Sequence, residues 1–147
     1  MRRTIFTLGC LLVPIVAGGC QNESEIVVVG YSLGSGMAAY LAANNDPQQL
    51  ILLAPYYSMA WMKNRFLPFF PDFVLKYPLR TNRWLAEVDA PVTLVHGTQD
   101  EVIPYRGAEM LRDLNPEQIT LVTLDGESHR GAIFNPVFSR TVAEALR

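Results

Sequence analysis

Ile26-Val27-Val28-Val29-Gly30-Tyr31-Ser32-Leu33-Gly34-Ser35-Gly36 is the stretch on which the reading of the fold turns. A run of β-branched residues ends at Gly30, and the alanine-rich run Ser35–Ala43 closes at Asn44-Asn45-Asp46-Pro47, so a strand passes into a helix through Gly30-x-Ser32-x-Gly34. In such a turn a serine hydroxyl stands exposed at the carboxyl edge of a sheet. The flanking glycines are small because strand and helix backbones approach closely there, and Gly36 extends that small face. Alone, the pentapeptide arises by chance in about one chain in twenty of this length. Its place between strand and helix makes it specific.

Working outward, Leu50–Ala54 is a second apolar strand ended by Pro55, and Val92–His96 is a third, introduced by Pro91 and stopped by Gly97. Ile119–Leu124 is a fourth. Gly107–Leu114 puts Ala108, Leu111 and Leu114 on one helical face, and Val137–Leu146 spaces Phe138, Val142 and Leu146 in the same way. The continuous apolar strands imply burial on both faces, as in a parallel sheet between helices. The expected class is α/β, with about four parallel strands. At 147 residues, 50% hydrophobic and 18% charged, the chain suits one packed domain, and a net charge of −2 gives no sign of a nucleic-acid partner.

A serine becomes a nucleophile only when a base removes its proton, and imidazole titrates near neutrality. The two histidines are His96, which ends the third strand and reads as buried and structural, and His129, in the polar loop Asp125-Gly126-Glu127-Ser128-His129-Arg130-Gly131 after the fourth. Loops at that edge of a parallel sheet are where sites form; the plainer reading of His129 is a solvated loop residue. The orienting carboxylate is expected at Asp100, after the third strand at the same edge, with Glu101 and Asp125 as rivals. Asp125-Gly126 is better explained as a turn, and Asp89 lies before a strand, at the wrong edge.

From about Ile26 onward the sequence resembles the α/β-hydrolase superfamily, near its Bem46-like and serine-aminopeptidase-like (S33) members. The matching stretches are Val29–Gly36, Leu52-Leu53-Ala54-Pro55-Tyr56 and Pro91–Pro104. The resemblance places Ser32, Asp100 and His129 on the family's catalytic triad, in the family's chain order, and assigns one oxyanion-hole amide to Leu33. It implies hydrolysis of an ester, thioester or amide through an acyl-serine intermediate, a carboxylic ester first of all, with no metal or cofactor. It covers only the C-terminal part of the fold, because in the family further strands and helices precede the elbow strand. A second oxyanion donor comes from that earlier part, and loss of one donor costs about 10²–10³ in rate. The strand Ile26–Val29 is then expected to be an exposed edge, available to a partner chain or to self-association, unless the segment Ile5–Val16 covers it. The alternative functions are a catalytically inactive truncated hydrolase and a lipid-anchored binding protein.

Residues 56–84 interrupt the alternation with Tyr57, Trp61, Phe66, Phe69, Phe70, Phe73 and Tyr77, punctuated by Pro68, Pro71 and Pro78. This is either a crossover whose aromatics belong to the core, an inserted cap lining an apolar acyl pocket, or a segment that enters the bilayer. The cap reading makes Tyr31, Tyr57 and Trp61 candidate contacts for a small hydrophobic ester or acyl substrate.

The N-terminus differs in kind. Met1-Arg2-Arg3 precedes the apolar run Ile5–Ala17 and then Ala17-Gly18-Gly19-Cys20. The run is short for a bilayer span but fits a signal sequence, and its end resembles a bacterial lipobox, with Ala17 where leucine is usual. The division expected is a signal sequence over 1–20, a linker over 21–25 and a partial hydrolase domain over 26–147. Cys20 is the lipidation site, which anchors the domain to the membrane of the bacterial cell envelope, on the periplasmic face or the outer surface. An ordinary cleaved signal peptide and a buried apolar segment are the plainer readings. With Cys10 in the removable segment, nothing remains for a disulfide or a zinc site.

Overall fold

The computed structural model describes residues 4–8, 26–69, 71, 73, 75 and 77–147. In chain order its elements are β1 (Thr4–Leu8), β2 (Ile26–Tyr31), α1 (Gly34–Ala43), β3 (Gln49–Leu53), α2 (Met59–Phe66), α3 (Thr81–Leu85), β4 (Val92–Gly97), α4 (Arg106–Arg112), β5 (Ile119–Leu124), α5 (Gly131–Phe134) and α6 (Pro136–Ala145). The strands form one five-stranded sheet in the order β1-β2-β3-β4-β5, parallel throughout.

Side chains alternate across the strands, and this alternation sorts the core into two layers. Val28, Leu50, Leu52, Val92, Leu94 and Ile119 face α1, α3 and α4, where Ala38, Ala39, Ala42, Leu85 and Leu111 meet them. Val27, Val29 and Ile51 face the opposite way, against Phe138, Val142 and Ala145 of α6. Leu53, Val95 and Leu124 pack on Ala132 of α5. A strand buried on both faces reads as a near-continuous apolar run, as β2 and β3 do from Ile26 and Leu50, while β4 carries the buried polar residues Thr93 and His96. β5 lies at the end of the sheet, and its exposed Thr120 and Thr123 mark it as such.

Alanines give α1 a flat face, so the helix lies close on the sheet. A methyl group at Gly30 would sit 2.6 Å from Ala38 Cβ and 2.9 Å from Ser35 Cα. α6 begins on a full set of local signals: Asn135 Oδ1 accepts from the Val137 amide at 2.9 Å, and Pro136 occupies the first turn.

Of the covers expected for the strand Ile26–Val29, the N-terminal apolar segment is the one observed, beginning at Thr4. Thr4–Leu8 pairs in parallel with Ile26–Gly30, so β2 is flanked by β1 and β3 and is not an exposed edge. The strand lies inside the stretch read as a signal sequence: a short apolar run with β-branched residues carries no periodicity that separates the two. Cys20 and the rest of 9–25 lie outside the described residues. Among the described residues no helix is long and apolar enough to cross a membrane.

Residues 56–84 divide. Tyr56 is wholly buried, Tyr57 and Trp84 pack against the core, and Trp84 meets Tyr40 edge-on at 5.4 Å. Between them, no residue of α2 is buried, and Phe69 and Phe73 are 97% and 87% exposed. The described aromatics of this stretch are therefore core at Tyr56, Tyr57 and Trp84, half-buried at Trp61, and surface at Phe66, Phe69, Phe73 and Tyr77. Phe70 lies outside the described residues.

Candidate active site

Three loops at the carboxyl ends of β2, β4 and β5 meet at one point. β2 delivers Ser32, whose amide donates to the Leu53 carbonyl at 2.9 Å and whose φ of 52° lies in the left-handed region. A non-glycine residue held there costs on the order of 1–3 kcal/mol and persists only where its surroundings impose it. The imposition comes from the immediate start of α1 and from the close Gly30–α1 contact, which together force the chain to reverse within two residues. Leu33 follows in helical geometry, and among the described residues its amide donates to no other backbone group.

Asp100 follows β4. Its Oδ1 accepts from the amides of Val102 at 2.9 Å and Ile103 at 2.7 Å, a local turn that locks the side chain. Its Oδ2 is then free to face His129, whose Nδ1 lies 2.7 Å away. Burial pushes the Asp100 carboxyl up, but hydrogen bonds from His96, Ile103, His129 and Val102 outweigh it and bring it down to about 2. The carboxylate is ionised and can only accept, so His129 carries its proton on Nδ1. Nε2 is left as an acceptor 3.0 Å from Ser32 Oγ.

The loop bearing His129 is tied to its neighbour at several points. Gln99 donates from its amide to the Glu127 carbonyl at 3.0 Å, and Thr98 Oγ1 bridges the Gly126 amide at 2.8 Å and Asp125 Oδ1 at 3.2 Å. The Glu101 carboxylate accepts from the His129 amide at 3.2 Å; contacts of this kind, first with its own amide and then with that of His129, hold Glu101 below its usual range. Asp125, weighed as a rival acid, thus serves the turn, and Glu101 serves the backbone of the histidine instead of its ring.

Tyr31, expected as a substrate contact, stacks on His129 with ring centroids 5.3 Å apart. Its hydroxyl is raised, by burial first and by the Asp100 charge second, and stays a protonated donor. Tyr57 and Trp61 meet each other edge-on at 6.5 Å and lie against Gly107 at the start of α4. Among the described residues neither makes a hydrogen bond or ring contact with Ser32, Asp100 or His129. His96 is a participant that the sequence reading did not place at the site: it is wholly buried, and its Nε2 lies 3.2 Å from Asp100 Oδ2. The i,i+4 spacing of His96 and Asp100 across the end of a strand was the available signal. Among the described residues no group of three or more His, Cys, Asp or Glu side chains could hold a metal ion.

A parallel sheet whose strand ends bring together a serine on a left-handed turn, an aspartate and a histidine is the arrangement of the α/β hydrolases. No family model matches the chain. It is 34% identical over 106 residues to the alpha/beta hydrolase domain-containing protein WAV2 of Arabidopsis thaliana, covering 61% of this chain and 34% of that one. The chain thus spans about a third of that relative's length. Among solved structures, an α/β-superfamily hydrolase of Xanthomonas campestris, itself described as putative, superposes with a TM-score of 0.56 at 24% identity, over 82% of this chain and 57% of that one. The esterase domain of a Rhodothermus marinus protein superposes with a TM-score of 0.60 at 19% identity, over 82% and 57%. The chain is similar in sequence to an α/β-hydrolase domain protein and has a partial α/β-hydrolase fold.

Proposed function

We propose that the chain is a serine hydrolase that cleaves carboxylic esters of small hydrophobic acyl groups through an acyl-serine intermediate. The observation that carries this is the continuous path Ser32 Oγ–His129 Nε2 at 3.0 Å and His129 Nδ1–Asp100 Oδ2 at 2.7 Å. As Ser32 Oγ attacks the ester carbonyl carbon, its proton passes to His129 Nε2, and Asp100 stays ionised and offsets the imidazolium charge. The negative charge developing on the carbonyl oxygen faces the Leu33 amide. Collapse expels the alcohol, which takes the proton from His129, and a water molecule repeats the sequence to release the acid. These steps call on no metal or cofactor.

The test is active-site titration of the full chain with a fluorophosphonate probe, followed by turnover of p-nitrophenyl esters of increasing acyl length. Stoichiometric labelling that disappears in Ser32→Ala, and turnover lost in His129→Ala, is the expected result. A folded preparation that takes no probe, or labelling that survives Ser32→Ala, overturns the reading.

For location, the proposal is a lipid anchor at Cys20, which holds the domain at the cell envelope. It is supported by Met1-Arg2-Arg3, the apolar run and the small residues before Cys20. Incorporation of labelled palmitate that is abolished by Cys20→Ser is the expected result, and incorporation unchanged by that substitution counts against it.

A further inference from the structure

Asp100 Oδ2 has two imidazole neighbours. His129 Nδ1 lies 2.7 Å away on the site side, and His96 Nε2 lies 3.2 Å away on the buried side, with both the His96 and Asp100 side chains fully enclosed. The second neighbour of His96 Nε2 is the Ile103 carbonyl at 2.9 Å. A carboxylate and a carbonyl can only accept, so Nε2 must carry the proton of His96. The other nitrogen, Nδ1, is buried and has no hydrogen-bond partner among the described residues. The opposite tautomer would turn a lone pair toward two acceptor oxygens and bury an N–H without an acceptor, which is unfavourable on both counts.

The surroundings leave this arrangement no substitute. Asp100 Oδ1 is taken by the Val102 and Ile103 amides. Tyr105 meets the His96 ring edge-on at 5.8 Å, and its hydroxyl is bonded to Thr123. Glu101 is engaged with the His129 amide, and Tyr31 stacks on the far ring. Among the described residues Oδ2 therefore has two ring nitrogens within 3.2 Å, and both belong to histidines.

We infer that His96 is a positioning residue, a neutral Nε2–H donor that fixes Asp100 Oδ2 in line with His129 and shares its charge. Its effect on rate rests on the serine-hydrolase reading; its placement and tautomer do not. Without the buried donor, the carboxylate charge concentrates on the His129 contact and the carboxylate loses one of the bonds that set its plane. His96→Leu removes the donor, and His96→Gln retains an N–H on a side chain of similar reach.

The experiment is long-range nitrogen–proton NMR of the full chain, with probe labelling in parallel. Wild type is expected to show His96 protonated at Nε2. In His96→Leu the His129 Nδ1 proton moves further downfield and labelling slows about tenfold, the loss expected from one charge-assisted hydrogen bond. His96→Gln keeps both near wild type, a rescue that a purely space-filling role does not give. A wild-type His96 protonated at Nδ1 overturns the inference without any variant, as does an unmoved His129 proton in a folded His96→Leu chain. If His96→Leu does not fold, the wild-type tautomer and His96→Gln decide. Absence of labelling in wild type, with the Nε2 tautomer in place, removes the hydrolase reading and leaves the positioning of Asp100 intact.

Discussion

The Tyr31 ring lies on the His129 imidazole with its plane tilted by 26°, and its hydroxyl donates to the His129 carbonyl at 3.2 Å. Tyr31 is the residue before Ser32, so the strand that delivers Ser32 also braces His129. Tyr31→Phe removes one hydrogen bond and is expected to lower stability by about 1 kcal/mol with little effect on labelling. Tyr31→Ala removes the stack as well, and labelling slows by roughly three- to tenfold, in keeping with the value of a ring–ring contact. Denaturant melts and probe kinetics on the two variants separate these effects; equal labelling rates for Phe and Ala would show that the ring does not brace His129.

Gly30→Ala tests the close seat of α1. The added methyl meets Ala38 Cβ and the α1 backbone, neither of which can swing away. A loss of 1–3 kcal/mol or more is expected, read as a lower denaturant midpoint. Because the same contact helps to impose the Ser32 conformation, labelling falls further than stability alone accounts for. A midpoint unchanged from wild type would mean that α1 can lift away from the sheet without cost.

Asp100 gives the fold a defined acid response. Its folded value of about 2 lies below the ordinary aspartate value of 3.8, so the unfolded chain binds this proton more readily. The associated stability, about 2 kcal/mol, is present in full above the unfolded value and is lost as the pH falls from about 4 through about 2. Asp100→Asn removes this dependence, so the difference in stability between wild type and variant shrinks across that window. Urea titrations at several pH values check it; parallel pH profiles for the two proteins contradict it.

Removal of β1 uncovers β2. A chain beginning at Cys20 loses the pairing of Thr4–Leu8 with Ile26–Gly30 and presents an apolar edge. It is expected to associate or aggregate where the full chain does not, as measured by size-exclusion chromatography with light scattering. Processing at Cys20, which the lipid-anchor proposal requires, creates that same edge and with it the place for a partner strand. Intact mass of the mature chain, read beside its oligomeric state, ties the two together; a monodisperse monomer beginning at Cys20 contradicts the expected association.

Much of this arrangement is legible in the residues because the parts near the site are fixed locally. Ile119–Leu124 is a strand with the same limits in sequence and structure, and the elbow helix differs by one residue at its start. Ser32, Asp100 and His129 can be singled out because each follows a strand that ends in a recognisable turn, and parallel strands bring such ends to one edge. The β1 pairing is not legible, since Thr4–Leu8 offers only a short apolar run, and its partner is chosen by the sheet. The four residues of α5 are too few to show a helical period. His96 reads correctly as buried, yet burial alone does not say which carboxylate its ring will meet. The exposure of Phe69 and Phe73 runs against their hydrophobicity, and nothing in their spacing announces it.

The exposure of Phe69, Phe73 and Tyr77, between α2 and α3, has one more consequence. A chain cut between these helices leaves β1, β2, α1 and β3 with Ser32 on one piece, and β4, β5 and their helices with Asp100 and His129 on the other. Neither piece holds both Ser32 and His129. The β3–β4 ladder, from Leu50 opposite Val92 to Leu53 opposite Val95, is the seam along which they would rejoin. The molecule is thus laid out as a two-part reporter, in which labelling at Ser32 reads out reunion of the halves.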